Sequence, residues 1–136
     1  MKRIALMGLM GLMGLMGLMG LMGCSKSVSS EQQAMEAAQE YYEALQKGDY
    51  EFFLNGRIHM DSIPDSFREQ LLVSFKQFMR QQEEAHQGVV SFTPSRVQMD
   101  STLQVMQVFL MVNYADSTHE EIIVPMVEEN GQWKMK

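Results

Sequence analysis

Cysteine is nearly absent from this sequence: one, Cys24, in 136 residues. No intrachain disulfide can form, so an exported domain of this composition has to hold together by its core alone. Positive charge is scarce too. Eleven Lys and Arg stand against seventeen Asp and Glu, a formal net charge of −6, and two of the basic residues are Lys2 and Arg3 at the extreme N-terminus. From Cys24 onward the balance is 9 against 17, or −8. That charge repels polyanions, which excludes nucleic acid as a partner, and it offers no basic patch to hold an anionic bilayer. After residue 24 glycine is confined to positions 48, 56, 88 and 131, so there is no glycine-rich phosphate loop. His59, His86 and His119 share no metal-ligand spacing, and no loop carries the run of oxygen ligands that calcium needs. No metal or other cofactor is expected.

What is present first is a leader. Lys2 and Arg3 precede an uncharged, apolar run from Ile4 to Met22 in which Leu-Met-Gly repeats. A basic start, an apolar stretch and a small residue before a cut site mark a secretory signal. Nineteen such residues would rise about 28 Å as a helix, enough to span a bilayer, so an uncleaved membrane helix is the competing reading. The three-residue glycine period makes neither a collagen helix, for want of proline, nor a small-residue stripe, because it drifts about 60° per repeat around a helix. The position of the only cysteine decides between signal and membrane helix. Leu21-Met22-Gly23-Cys24 resembles the lipobox of bacterial prolipoproteins. That resemblance implies removal of residues 1–23, lipidation of Cys24 on sulfur and acylation of its new amino group, giving a palmitate-type anchor. Two or three acyl chains hold a protein stably, where one does not. Residues 24–30, Cys-Ser-Lys-Ser-Val-Ser-Ser, read as a serine-rich tether. In lipoproteins of the Bacteroides type an acidic run after the cysteine resembles a surface-export signal; none follows Cys24, so the resemblance implies a periplasm-facing site in the cell envelope.

The folded domain is expected over 31–136, a length suited to one compact unit. Ser30 with Gln33 reads as a capping box. Ala34, Ala38, Tyr41, Tyr42 and Leu45 recur at helical spacing, and Lys47-Gly48 ends that helix. Asp49 caps a short helix through Leu54, closed by Asn55-Gly56. A loop over 57–63 leads through Pro64-Asp65 into a third helix running to about Gln87. The periodicity then changes to alternation. Val89–Asp100 is β-prone, with Pro94 marking a bulge, edge or break. Thr102–Tyr114 is the strongest strand, with Met106, Val108, Leu110, Val112 and Tyr114 on one face and Leu103, Val105, Gln107, Phe109 and Met111 on the other. Apolar residues on both faces call for cover on both. His119–Glu128 and Gln132–Lys136 follow, joined by Asn130-Gly131, a type I′ hairpin signal. The result is an α+β domain: helices packed on a curved antiparallel meander of about four strands.

Two segments carry a family resemblance. Tyr41-Tyr42-Glu43-Ala44-Leu45-Gln46-Lys47-Gly48-Asp49-Tyr50 and Asn130-Gly131-Gln132-Trp133-Lys134 are similar to segments of the nuclear-transport-factor-2-like superfamily, and most of all to its uncharacterised envelope lipoproteins. The resemblance implies a sheet wrapped around helices as an open cone, and often a dimer formed through the sheet. It does not assign a function, because that fold serves many. Two functional readings follow. The first is a non-catalytic binding or interaction module, using either the cone mouth (Tyr42, Phe53, Gln107, Trp133) for a small apolar ligand or the outer sheet face for a homodimer or an envelope protein. The second is a small isomerase- or cyclase-like enzyme acting on an apolar ligand. Such an enzyme would place an acid or base inside the cone. Strand residues 103–112 include no Asp, Glu or His, and the best acid–base pair, His59 with Asp61, sits in a loop and reads as solvated. Glu120-Glu121 likewise read as a solvated face, Tyr41 and Tyr42 as core or rim aromatics, and the scattered methionines as core filler. No catalytic residue is assigned.

Overall fold

A computed structural model describes residues 29–136. Cys24, the lipobox and most of the tether lie outside the described residues, and among those described no helix is long and apolar enough to cross a membrane. Residues Glu31–Lys136 form a compact unit.

Helix α1 spans Ser30–Lys47 and buries Ala34, Ala38 and Leu45. Ala34 and Ala38 belong to the buried core that the helix shares with the sheet. The helix already includes Ser30, so the flanking N-cap position falls to Ser29 and not to Ser30. After Gly48, whose φ of 91° suits the helix stop, the short helix α2 spans Tyr50–Asn55. Its cap is Asp49, whose side chain accepts from the Phe52 N–H at 3.2 Å. Gly56 ends α2, but with φ −76° it is not there for a left-handed turn. Its lack of a side chain serves packing: a Cβ would fall 2.6 Å from the ring of Tyr41. Residues 57–63 are more ordered than a plain loop. They contain a 3-10 turn, Met60–Ser62, and Arg57 bridges to Met135. Helix α3 spans Asp65–His86 and ends with Gln87 at φ 67°. It buries no residue completely. Its contact runs through Phe75, which meets Phe53 edge-on at 4.9 Å, and through Met79.

The sheet follows chain order β1-β2-β3-β4, all neighbours antiparallel. The strands are β1 (Val89–Asp100), β2 (Val105–Tyr114), β3 (His119–Glu129) and β4 (Gln132–Met135). Pro94 does mark a bulge, since the register shifts between Pro94 and Arg96, and a second shift lies between Val89 and Ser91. Strand β2 starts at Val105, later than alternation alone suggests. The Asp100 carboxylate accepts from the N–H groups of Thr102 and Leu103, both at 3.1 Å, and Gln104 takes φ 56°. This side-chain turn removes Leu103 from the strand and leaves it 57% exposed. The Asn130-Gly131 turn has φ of 54° and 79°, as a type I′ hairpin requires.

The inner sheet face and the helices make one core. Met106, Val108, Leu110, Val112 and Tyr114 of β2 pack with Val124, Met126, Met135, Phe92, Phe53 and the inner face of α1. Met99, Met106, Met126 and Met135 lie in one row across the four strands, and the last three are buried. On the outer face the Arg96 guanidinium lies 3.7 Å over the Phe109 ring, so the chain shields part of that face itself. Helices followed by a curved four-stranded antiparallel sheet make this a nuclear-transport-factor-2-like α+β cone.

Candidate functional site

A partly open cavity of about 180 Å³ lies between α3 and the inner face of the sheet; Phe78, 46% exposed, and the exposed Glu120 leave it in contact with solvent. It is lined by Tyr42 of α1, Phe78 and Gln82 of α3, Val89 and Phe92 of β1, Val112 and Tyr114 of β2, and Glu120 and Ile122 of β3. An apolar cavity of roughly 150 Å³ accepts a benzene-sized guest, so the space is sufficient for one ring. Larger depressions exist, and they are open to solvent. One, of about 500 Å³, runs past Tyr41, Phe52 and Trp133.

Strand pairing explains the cavity wall. Phe92, Val112 and Glu120 lie in one cross-strand row. Counting by twos from Met126, the inner face of β3 reads Met126, Val124, Ile122, Glu120. A carboxylate therefore ends an apolar file, on the core side of the sheet. Glu120 keeps solvent exposure, yet it accepts a hydrogen bond from the Tyr114 hydroxyl. Burial first, then that hydrogen bond and the negative charge of Glu120 and Asp116, push the Tyr114 phenol up to about 12. Tyr114 is thus a neutral donor at ordinary pH. Tyr42 stands at the opposite wall, its ring 5.0 Å edge-on to Phe53 and 5.2 Å from Phe92. Its phenol is also raised by burial, with the charge of Arg57 opposing.

A polar clasp closes the end of this site. His86 stacks on Tyr114 with centroids 4.0 Å apart. Its Nδ1 lies 3.1 Å from the Asp116 carboxylate. The Asp116 and Ala115 N–H groups donate to the carbonyl oxygens of His86 and Gly88 at 3.1 and 2.9 Å. Hydrogen bonds from the Thr118 hydroxyl and then the Thr118 N–H hold the Asp116 carboxyl below its ordinary value, with His86 adding to them. The clasp thereby ties the C-terminus of α3 to the β2–β3 turn.

Of the four residues expected at the cone mouth, the structure brings Tyr42 and Phe53 together. Gln107 is on the outer face, in a row with Gln98 and Pro125. Trp133 lines the open groove. Its Nε1 donates to Gln33 at 3.3 Å, and its carbonyl oxygen accepts from the Tyr41 hydroxyl at 2.7 Å. His59 and Asp61 are exposed beside an open depression near Arg57 and Glu129 and do not line the cavity. Glu120 and Glu121 are exposed, as the solvated-face reading expects, and Glu120 in addition borders the cavity. Its signal was available as the alternation that starts at Met126. The pairing of His86 with Asp116 had no such signal, because 30 residues separate them.

The fold and the cavity define a nuclear-transport-factor-2-like cone with a small, aromatic-lined interior. Among solved structures the chain is similar to the 2.00 Å crystal structure of a Campylobacter jejuni protein bearing the provisional name NTF2-like transpeptidase. The TM-score is 0.56, the identity is 11%, and the match covers 74% of this chain and 94% of that one. At that identity the likeness shows the fold alone. No family model and no curated protein matches the sequence.

Proposed function

We propose that this chain is a lipid-anchored protein of the bacterial cell envelope, facing the periplasm, whose cone holds a small, mainly apolar molecule without transforming it. The observation that carries the binding part is the cavity with Tyr42, Phe78, Phe92, Val112 and Ile122 in its wall. The anchoring part rests on Gly23-Cys24 at the end of the apolar leader. The non-catalytic reading is supported by the loop pair His59 and Asp61 standing away from the cavity; the Tyr114–Glu120 pair in the wall is the acid–base feature that the alternative, a small isomerase- or cyclase-like enzyme, would use. A homodimer through the outer sheet face is compatible with this role and is not required by it.

Two measurements test the proposal. Cells fed labelled palmitate should incorporate label into the wild-type chain and not into Cys24→Ser, which should leave the membrane fraction or remain unprocessed. Labelling of the variant would refute anchoring at Cys24. Toluene added to the detergent-solubilised chain should shift the methyl resonances of Val112 and Ile122, and Val112→Phe, which fills the cavity, should abolish the shifts. Unmoved resonances in the wild type would refute the binding role.

A further inference from the structure

We infer that the molecule held in the cavity is an organic cation, a protonated amine on a single-ring apolar body. This rests on the binding role proposed above and adds the charge of the ligand to it.

Three features of the wall point the same way. The first is its aromatic content: Tyr42, Phe78, Phe92 and Tyr114 all line a space of about 180 Å³. Ring faces are electron-rich and attract cations, modestly so at partly exposed sites such as this one. The second is the sign of the charge. Glu120 is the only ionisable carboxylate among the described lining residues, and no Lys, Arg or His stands with it. The ion pairs among the described residues are Arg68–Glu51 and His86–Asp116, so neither neutralises Glu120. His86 stacks on Tyr114 with its Nδ1 turned to the Asp116 carboxylate and is not among the lining residues. The third is position. Glu120 follows Met126, Val124 and Ile122 on the inner strand face, where an apolar residue would complete the core. The Tyr114 hydroxyl donates to one carboxylate oxygen, Oε1, and holds the group at the wall.

An amine satisfies every part of this wall. Its N–H groups donate to the Glu120 carboxylate, and its ring occupies the aromatic space. A neutral ligand makes no charge-assisted hydrogen bond with the carboxylate. An anion would be repelled by Glu120 and by the net charge of the whole domain.

Benzylamine, benzyl alcohol, benzoate and toluene are the probes, titrated into the detergent-solubilised chain and read from the Val112 and Ile122 methyl resonances. At pH 7 benzylamine should bind about three- to tenfold more tightly than benzyl alcohol, a modest factor because Glu120 keeps solvent exposure. Benzoate should not bind measurably. Glu120→Gln should erase the preference for benzylamine over benzyl alcohol, while its far-ultraviolet circular dichroism, matched to wild type, shows that the variant is folded. Raising the salt to about 1 M should narrow the preference. If toluene binds and benzylamine gains nothing over benzyl alcohol, the cation inference is wrong and the binding role stands. If no probe binds, both are wrong. If Glu120→Gln keeps the full preference for benzylamine, the carboxylate assignment is overturned, and the wild-type comparison of benzylamine with benzoate still tests the sign of the ligand without any variant.

Discussion

Replacing Gly56 with alanine tests the packing at the junction of α1, α2 and β4. An added Cβ would lie 2.6 Å from both Cδ1 and Cε1 of Tyr41. The backbone gives no reason for strain, because φ is −76° and alanine adopts it freely. The whole cost is therefore steric. The ring is restrained from moving aside: its hydroxyl donates to the Trp133 carbonyl oxygen at 2.7 Å, and its centroid is 5.5 Å from Phe52. The glycine is restrained as well, since the Met135 N–H donates to its carbonyl oxygen at 2.7 Å. Forcing one methyl into such a site costs about 1–3 kcal/mol. For a domain of this size that lowers Tm by roughly 5–20 °C. Thermal unfolding of the detergent-solubilised chain, followed by the fluorescence of Trp133, the sole tryptophan, measures it. A double-mutant cycle isolates the cause. In a Tyr41→Ala background Gly56→Ala should cost less than about 0.5 kcal/mol, so the coupling energy should exceed about 0.5 kcal/mol. Gly48→Ala is the control. Nothing lies within 4 Å of its added Cβ, but φ is 91°, so it should cost about 1 kcal/mol whether or not Tyr41 is present. A Gly56→Ala chain as stable as wild type, or one equally destabilised in both backgrounds, refutes the steric argument.

Further outcomes follow from the same structure. Leu110→Ala, at a fully buried site, should lower the unfolding free energy by about 2–5 kcal/mol in urea titration, against a change within about 0.5 kcal/mol for the exposed Leu103→Ala. Tyr114 has a folded pKa raised from 10.0 to about 12, so its contribution is fully present below pH 10 and is lost as pH rises through 12. Wild type should lose stability across that window by pH-dependent urea unfolding, and Tyr114→Phe should lose less. Asp116 has a depressed folded pKa, so what it contributes is present above its ordinary value of 3.8 and fades as pH falls below that. Thr118→Val should move the Asp116 carboxyl upward toward 3.8 in an NMR titration, but not all the way, because the Thr118 N–H still donates at 3.0 Å.

Much of the architecture was legible in local patterns. The change from a 3.6-residue to a two-residue period at Gly88 separates the helices from the sheet, because each period puts one face of an element toward the core. Asp49 and Asn130-Gly131 mark a cap and a turn through their own backbone and side-chain chemistry, which operates within a few residues. Leu103 was read as strand because its apolar side chain fits the alternation. The Asp100 carboxylate competes for the backbone N–H groups there, and a local hydrogen bond outweighed the pattern.

The cavity was legible only in fragments. Tyr42 was singled out from helical spacing, and it does line the space. Gln107 was grouped with it as a polar exception in an apolar strand, but alternation alone does not say which face of β2 meets the helices when both are apolar. That was decided by Ala34 and Ala38 of α1, which share the buried core with the even face, and by Arg96, which lies over Phe109 on the odd face.

Taken alone, the sequence determined the features that depend on neighbouring residues: an apolar leader ending at its only cysteine, three helices, four strands and the hairpin turns between them. These follow from spacing, capping and φ preferences acting over a few positions. Only the tertiary structure decided that Glu120 borders an aromatic space and that His86 meets Asp116. It also decided that Gly56 is needed for the ring of Tyr41 and not for its own backbone angle. Each of these joins residues remote in the chain, and their contact is set by how the core packs, a long-range outcome that no local period encodes.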